Sequence, residues 1–190
     1  MIEARRINVV GTSGSGKSNF ARKLSKALAA PYVELDALHW EPNWTEASDE
    51  VLFSRLEEAL SGDAWVLDGN YKKTIPIKWR NVDMVVWLDL PLWLTFYQVF
   101  MRTLRRSFRR EALWSGNRES IFKAFFSRDS ILLWCLTTHG ENRRRYLAAM
   151  NDEQFPEIEF VRLRSRKAQE QFLNTARGGD SLLAMVHKDL

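Results

Sequence analysis

Ile7-Asn8-Val9-Val10-Gly11-Thr12-Ser13-Gly14-Ser15-Gly16-Lys17-Ser18-Asn19-Phe20-Ala21 is the stretch that decides the fold. Ile7, Val9 and Val10 form a short β-branched run that reads as a strand, and Gly11 stops it. Residues 11–18 satisfy G-x-x-x-x-G-K-[ST] at every position. Glycines at Gly11, Gly14 and Gly16 let backbone N–H groups turn inward toward phosphate oxygens. Beyond Ser18, the residues Phe20, Ala21, Leu24, Ala27 and Leu28 recur at helical spacing. The N-terminus of that helix brings its partial positive charge to the same anion. Lys17 is a point charge for the β- and γ-phosphates, and the Ser18 hydroxyl suits Mg²⁺. A strand before the loop and a helix after it are the context the motif requires. The motif specifies nucleotide binding and leaves the reaction open.

Working outward, residues 32–35 predict a second strand after Pro31. Ser48 is placed to cap a helix with Val51, Leu52, Leu56 and Leu60 on its apolar face and Gly62 at its end. Residues 65–67 and 82–88 predict a third and a fourth strand. Pro91 suits the first turn of a helix carrying Leu94, Phe96, Tyr97, Phe100, Met101 and Leu104. From Leu104 to Arg118 the apolar periodicity lapses, which reads as an inserted mobile segment. Two further helices are expected near 121–136 and 142–150, then a fifth strand at 158–163. Ser165 caps a last helix that ends before Gly178 and Gly179, and Leu182, Leu183 and Val186 are candidates to dock the tail. Strands alternating with helices imply a parallel sheet covered on both faces. Residues 1–176 read as one domain, with 177–190 as a C-terminal tail.

The length of 190 residues suits a single domain, and 45% hydrophobic with 27% charged residues excludes a mainly disordered chain. With 8 Trp, core packing is the default reading for most of them. A net charge of +4 is too small to argue for nucleic acid by itself. The excess is local: Arg102, Arg105, Arg106, Arg109 and Arg110 cluster, and Arg143, Arg144 and Arg145 follow. The single cysteine, Cys135, makes neither an internal disulfide nor a metal cage and reads as a small buried hydrophobe. The first apolar run leads into the glycine loop, so no leader is expected. The longest apolar stretch, 84–101, is broken by Asp89, Pro91 and Gln98. The expectation is a cytoplasmic protein, a monomer or homodimer, with no membrane partner.

Asp68 closes the third strand, where strand ends line the ligand crevice, and is the candidate for Mg²⁺ beside Ser18. Asp89 holds a similar place but reads as a helix cap before Pro91. Asp36 follows the second strand and is either a base for an acceptor hydroxyl or a cap; His39 reads as a packed histidine. Guanidinium groups complement a transferring phosphoryl group, so Arg109, Arg118 and Arg143 join Lys17, Asp68 and Asp36 as candidate catalytic residues. An arginine-rich segment between helices suits a lid, placed near 102–118. Asn142 to Arg145 lie on a helix, where spacing lets one or two of the three arginines face the site. The expected nucleotide-binding set is Gly11, Ser13, Gly14, Ser15, Gly16, Lys17, Ser18, Asn19, Arg109 and Arg164.

The loop, Leu67-Asp68-Gly69, the 83–91 strand, the arginine lid and Val161-Arg162-Leu163-Arg164-Ser165 together resemble the adenylate kinase-like nucleoside monophosphate kinase superfamily. Asp36-Ala37-Leu38-His39-Trp40, Asp68-Gly69-Asn70-Tyr71 and Trp114-Ser115-Gly116-Asn117-Arg118-Glu119-Ser120 are similar to the bacterial DNA topology modulation (FlaR-type) group. The resemblance spans about residues 5–175. It implies a three-layer α/β/α P-loop NTPase fold with a five-stranded parallel sheet, a small arginine-rich lid and an acceptor side near 36–62. It implies ATP and Mg²⁺, with Asp68 holding the hydrated ion. Where adenylate kinases carry Asp-Gly-Phe-Pro-Arg, this chain has Asp68-Gly69-Asn70-Tyr71-Lys72, so Lys72 stands in for the acceptor-phosphate arginine. Asp36 resembles the acceptor-binding Asp of shikimate and gluconate kinases, which act on hydroxyls. The implied activity is transfer of the γ-phosphoryl group to a nucleoside monophosphate or a hydroxyl-bearing metabolite. A nucleic-acid-associated ATPase, or a regulator of DNA topology, is the alternative.

Overall fold

β1 (Arg6–Gly11) forms where apolar residues run together, and every residue from Ile7 to Gly11 is buried. Burial on both faces is what a central parallel strand requires. The structure, a computed structural model, describes residues 4–109, 115, 131–179 and 181–182; at 106–109, 131, 132 and 134 it describes the backbone alone. β1 pairs in parallel with β5 (Trp65–Asp68) on one side and β6 (Met84–Leu88) on the other. β2 (Tyr32–Glu34) and β7 (Glu159–Leu163) complete the order β2-β5-β1-β6-β7, all parallel. A short hairpin, β3 (Trp40–Glu41) and β4 (Thr45–Glu46), stands apart from this sheet.

α1 (Lys17–Ala27) and α7 (Arg166–Gly178) cover one face, packing Phe20, Leu24, Phe172 and Leu173 on Val9, Val66, Val86 and Val161. α3 (Asp49–Ala59), α4 (Ile75–Lys78) and α6 (Ile131–Ala149) cover the other face. There Leu52, Leu56, Trp79 and Tyr146 meet Val10, Leu67, Val85 and Trp87. Each such aliphatic side chain stabilises the fold by about 1.5–3 kcal/mol when fully buried. The result is the three-layer α/β/α arrangement with a five-stranded parallel sheet expected from the sequence. α2 (Leu35–His39) follows β2, and α5 (Leu92–Arg109) packs against α6.

Several local readings change. Ser48 does cap α3, accepting from the Val51 N–H at 3.3 Å, but Val51 itself is exposed and only Leu52 and Leu56 of the expected face are fully buried. Pro91 precedes α5, with its carbonyl accepting from the Leu94 and Thr95 N–H groups. The buried face of α5 is Thr95, Val99 and Thr103, whereas Trp93, Tyr97 and Met101 are exposed at 71%, 57% and 46%. Residues 104–109 are not an inserted segment: they continue α5, as arginine's good helix propensity allows. One helix runs through Gly140 where two were expected, since Gly140 packs on nothing within 4 Å and needs no break. The expected helix at 121–130, and the lid beyond Arg109 apart from Ser115, lie outside the described residues. Ser165 caps α7 through the Ala168 N–H at 3.0 Å, and that helix includes Gly178 before Gly179 ends it. Leu182 docks in the core, while Leu183 and Val186 fall outside the described residues. Among the described Trp residues, Trp65, Trp79 and Trp87 are core, but Trp44 and Trp93 are exposed.

Candidate active site

The order of the strands changes direction at β1, which puts the crevice at the end of that strand. Val9 is level with Asp68 of β5, and Gly11 is level with Leu88, one residue before Asp89. In the loop between β1 and α1, Gly14 and Gly16 have φ of +84° and +86°, where a Cβ is strained. Gly14 also lacks room: a Cβ would meet the Thr95 carbonyl oxygen and Val99 Cγ2 at 2.4 Å. The loop therefore rests directly on α5. Gly16 caps α1 with no side-chain bond, so the first N–H groups are left open to an anion. Cys135, buried as expected, donates weakly from Sγ to the Ser13 carbonyl at 3.4 Å, under the same loop.

Lys17 Nζ lies 3.4 Å from the Thr12 carbonyl oxygen. Burial draws its pKa below the ordinary lysine value; the nearby Asp68 and Asp36 charges oppose that fall and Arg102 adds to it. Lys17, Asp68 and Asp36 thus share one electrostatic neighbourhood. Asp68 is buried and accepts from the Tyr32 hydroxyl at 3.2 Å. Ser18 Oγ and the Asp68 carboxylate are hard oxygen donors of the kind Mg²⁺ takes. Among the described residues no cluster of three or more His, Cys, Asp or Glu could hold an ion alone. A bound ion would share its coordination with phosphate oxygens and water.

Asp36 occupies the first turn of α2 and accepts from the Tyr71 hydroxyl at 2.8 Å. Burial pushes its carboxyl above the ordinary value, while the Tyr71 bond and Lys17 pull the other way. His39 is buried as expected, against Trp40 and Tyr71 with ring centroids 4.9 Å and 4.7 Å away. Burial lowers its pKa, so its 3.5 Å approach to Glu46 joins a neutral ring to a carboxylate at neutral pH.

The turn after Asp68 ties the two sides together. A Cβ on Gly69 would meet Leu35 Cβ at 2.4 Å. The Gly69 carbonyl accepts from Asn8 Nδ2 at 3.2 Å and from Lys78 Nζ at 3.4 Å. The Tyr71 carbonyl accepts from Thr74 Oγ1 at 2.8 Å and from Lys78 Nζ at 3.3 Å. Lys78 is 1% exposed, and burial, aided by Arg145, lowers its pKa to about 7. Arg145 donates to Asn70 Oδ1 and its carbonyl at 3.4 Å, and Tyr146 donates to the same Oδ1. Lys72, expected to meet an acceptor phosphate, is exposed in the turn, and Arg145 and Lys78 bond the same turn around Asn70.

Of the arginines expected at the reacting phosphate, Arg143 points its Nε at Asp89 from 3.5 Å. Arg143 and Arg144 are exposed and Arg145 is half-buried. Asp89 is not a helix cap: Arg162 of β7 donates to it from Nε at 2.9 Å while its guanidinium lies 4.8 Å above the Trp87 ring. The Arg109 side chain and Arg118 lie outside the described residues. A cavity of about 320 Å³ opens beside the loop, lined by Ser15, Gly16 and Asn19. Arg164 is exposed and takes no part in that lining; Arg166, from the first turn of α7, does. The sequence reading passed over Lys78 and Arg145's bond to Asn70. An apolar setting, Ile77 before and Trp79 after, is the one local sign that Lys78 is buried.

Fold and loop together define a three-layer α/β/α P-loop domain. No family model matches the chain, and no curated protein sequence matches it. Solved structures do. A gluconokinase from Sinorhizobium meliloti 1021 superposes with a TM-score of 0.52 at 18% identity, covering 97% of this chain and 94% of that one. A shikimate kinase from Bacteroides thetaiotaomicron gives 0.54 at 13% identity, covering 92% of this chain and 97% of that one. At these identities the likeness is one of fold. No described helix is long and apolar enough to cross a membrane.

Proposed function

We propose that the protein is an ATP- and Mg²⁺-dependent phosphotransferase that moves the γ-phosphoryl group to a small acceptor, a hydroxyl-bearing metabolite ahead of a nucleoside monophosphate. Asp36 carries the reading. It is a carboxylate oriented by Tyr71, raised in pKa by burial and close enough to Lys17 to feel its charge. Such a group is fitted to accept a proton from a hydroxyl. As the acceptor oxygen bonds to phosphorus and the bond to the ADP oxygen breaks, the acceptor proton passes to Asp36. Lys17 and the N–H groups of the loop offset charge on the phosphates. Asp68 and Ser18 would hold the ion, which would shield phosphate charge. Arg145, bonded to Asn70, brings positive charge to the turn that carries Tyr71. The kinases named among the structural neighbours support a reaction of this class. The motifs at 36–40, 68–71 and 114–120 support membership of the DNA topology modulation (FlaR-type) group within it.

The test is transfer of label from γ-³²P-ATP across a broad panel of metabolites and nucleotides. One acceptor should be labelled, and Lys17→Ala and Asp68→Asn should abolish the transfer. No labelled acceptor across the panel refutes the proposal. Binding of DNA or RNA with a steep salt dependence, in place of transfer, would favour the nucleic-acid alternative.

A further inference from the structure

Two buried acids stand at strand ends on either side of β1: Asp68 closes β5 and Asp89 follows β6. Their partners differ in kind. Asp89 accepts from Arg162 Nε at 2.9 Å and has Arg143 Nε 3.5 Å away, so cations already offset its charge. Asp68 Oδ2 accepts from a neutral group, the Tyr32 hydroxyl, at 3.2 Å. A neutral donor fixes the direction of a carboxylate and leaves its negative charge in place for a cation, whereas a guanidinium offsets that charge.

Tyr32 is itself held. It starts β2 level with Val66, two residues before Asp68 on the neighbouring strand, so Tyr32 and Asp68 share one face of the sheet. That face carries α1, and the Tyr32 ring packs on the core cluster beneath the helix. Arg22 of α1 sets its guanidinium 5.0 Å from the centroid of the ring. Arg22 also donates to Glu34 at 3.0 Å, and Glu34 is level with Asp68. The arginine of this corner is thus engaged by Glu34 and the ring, and it is the phenol hydroxyl that meets Asp68.

Building on the phosphotransferase reading, with Asp68 as its metal-side acid, we propose that Tyr32 is a positioning residue that aims Asp68 at the Mg²⁺ accompanying the nucleotide. With Oδ2 held by the phenol, Oδ1 is the oxygen left to accept from the water shell, which Mg²⁺ gives up reluctantly. Hydrogen-bond partners behind a metal-side carboxylate commonly carry about 10- to 100-fold in metal affinity. The same contrast of partners gives the ion to Asp68 over Asp89, although both acids end strands at the crevice.

Isothermal titration with a non-hydrolysable ATP analogue, once with Mg²⁺ and once with EDTA, reads the metal's share of binding as the ratio of the two affinities. The wild type, Tyr32→Phe, Asp68→Asn and the double variant form a cycle. Tyr32→Phe keeps the ring under Arg22 and removes the hydroxyl alone. It should weaken the Mg²⁺ complex by about tenfold, leave the affinity in EDTA unchanged, and add nothing on the Asp68→Asn background. Equal weakening with and without Mg²⁺ marks a merely structural role and overturns the proposal. An unchanged ratio in Tyr32→Phe, or a further fall in the ratio on the Asp68→Asn background, overturns it as well. A ratio in Asp68→Asn equal to that of the wild type refutes instead the reading of Asp68 as the metal-side acid. A wild type that binds no analogue refutes the phosphotransferase reading, and the role of Tyr32 falls with either.

Discussion

Replacing Lys78 with methionine should make the protein more stable, and the gain should shrink as pH rises. Lys78 is 1% exposed, and among the described residues its ammonium meets only carbonyl oxygens, those of Gly69 and Tyr71. Each carbonyl keeps a second donor when the ammonium is removed, Asn8 Nδ2 at 3.2 Å for Gly69 and Thr74 Oγ1 at 2.8 Å for Tyr71. Methionine of similar length therefore orphans neither. Burial lowers the Lys78 pKa from 10.5 to about 7. Between those values the unfolded chain holds a proton that the folded chain has released, so stability climbs with pH. Below pH 7 both states are protonated and the full cost of the buried charge stands, on the order of 5 kcal/mol as an upper bound. About 3 kcal/mol of it is relieved between pH 6 and pH 9. The variant lacks that slope. At pH 6 it should be the more stable protein by about 1–4 kcal/mol, the range seen when apolar groups replace buried charge. For a chain of this size, each kcal/mol raises Tm by about 2–4 °C. Urea unfolding of both proteins at pH 6, 7, 8 and 9, followed by Trp fluorescence, reads the difference directly. A difference that does not change with pH, or a variant weaker than wild type at pH 6, refutes the reasoning. The same change slackens the turn bearing Asn70 and Tyr71, so phosphoryl transfer should fall while stability rises.

Asp36→Asn should lower transfer by about 100-fold or more, and the wild-type rate should fall in acid through a midpoint above the ordinary carboxylate value, a limb the variant lacks. Tyr71→Phe should move that midpoint to higher pH, because the hydroxyl it removes stabilises the ionised form; a pH–rate profile checks both. Arg162→Met should destabilise by about 3 kcal/mol, since Asp89 then keeps only the longer contact to Arg143 in a buried setting; denaturant midpoints measure it. Gly69→Ala should cost about 1–3 kcal/mol through its collision with Leu35, and Leu35→Ala combined with it should cost less than the sum of the two single changes.

Local rules made the phosphate loop and the five strands of the parallel sheet legible, but not the β3–β4 hairpin. Each glycine, Lys17 and Ser18 is demanded by its own position, and the sheet strands show as short, largely apolar runs. Asp68 follows from the same logic, because the end of a strand beside β1 has one place to go. Features set by tertiary contact were not legible. The fully buried face of α5 is Thr95, Val99 and Thr103, with Thr95 and Val99 against the loop, so hydropathy picks out the half-buried Leu94, Phe96, Phe100 and Leu104 and misplaces Tyr97 and Met101. Asp89 looks like a cap until β7 brings Arg162, 73 residues along the chain, to its side. Gly140 suggests a break, yet α6 passes through it with nothing packed on the spot. Lys78 looks like one more surface lysine, because its burial depends on a turn whose carbonyls come from residues before it.

The seat of Gly14 on α5 has a mechanical consequence. The glycine leaves no clearance between the loop and the Thr95 carbonyl, so α5 is braced against the phosphate site near its own start. Its 18 residues extend about 27 Å as a helix. A rod braced at one end cannot slide along its axis without dislodging the loop. With α5 also packed on α6, the start of the helix and the phosphate loop form one mechanical unit.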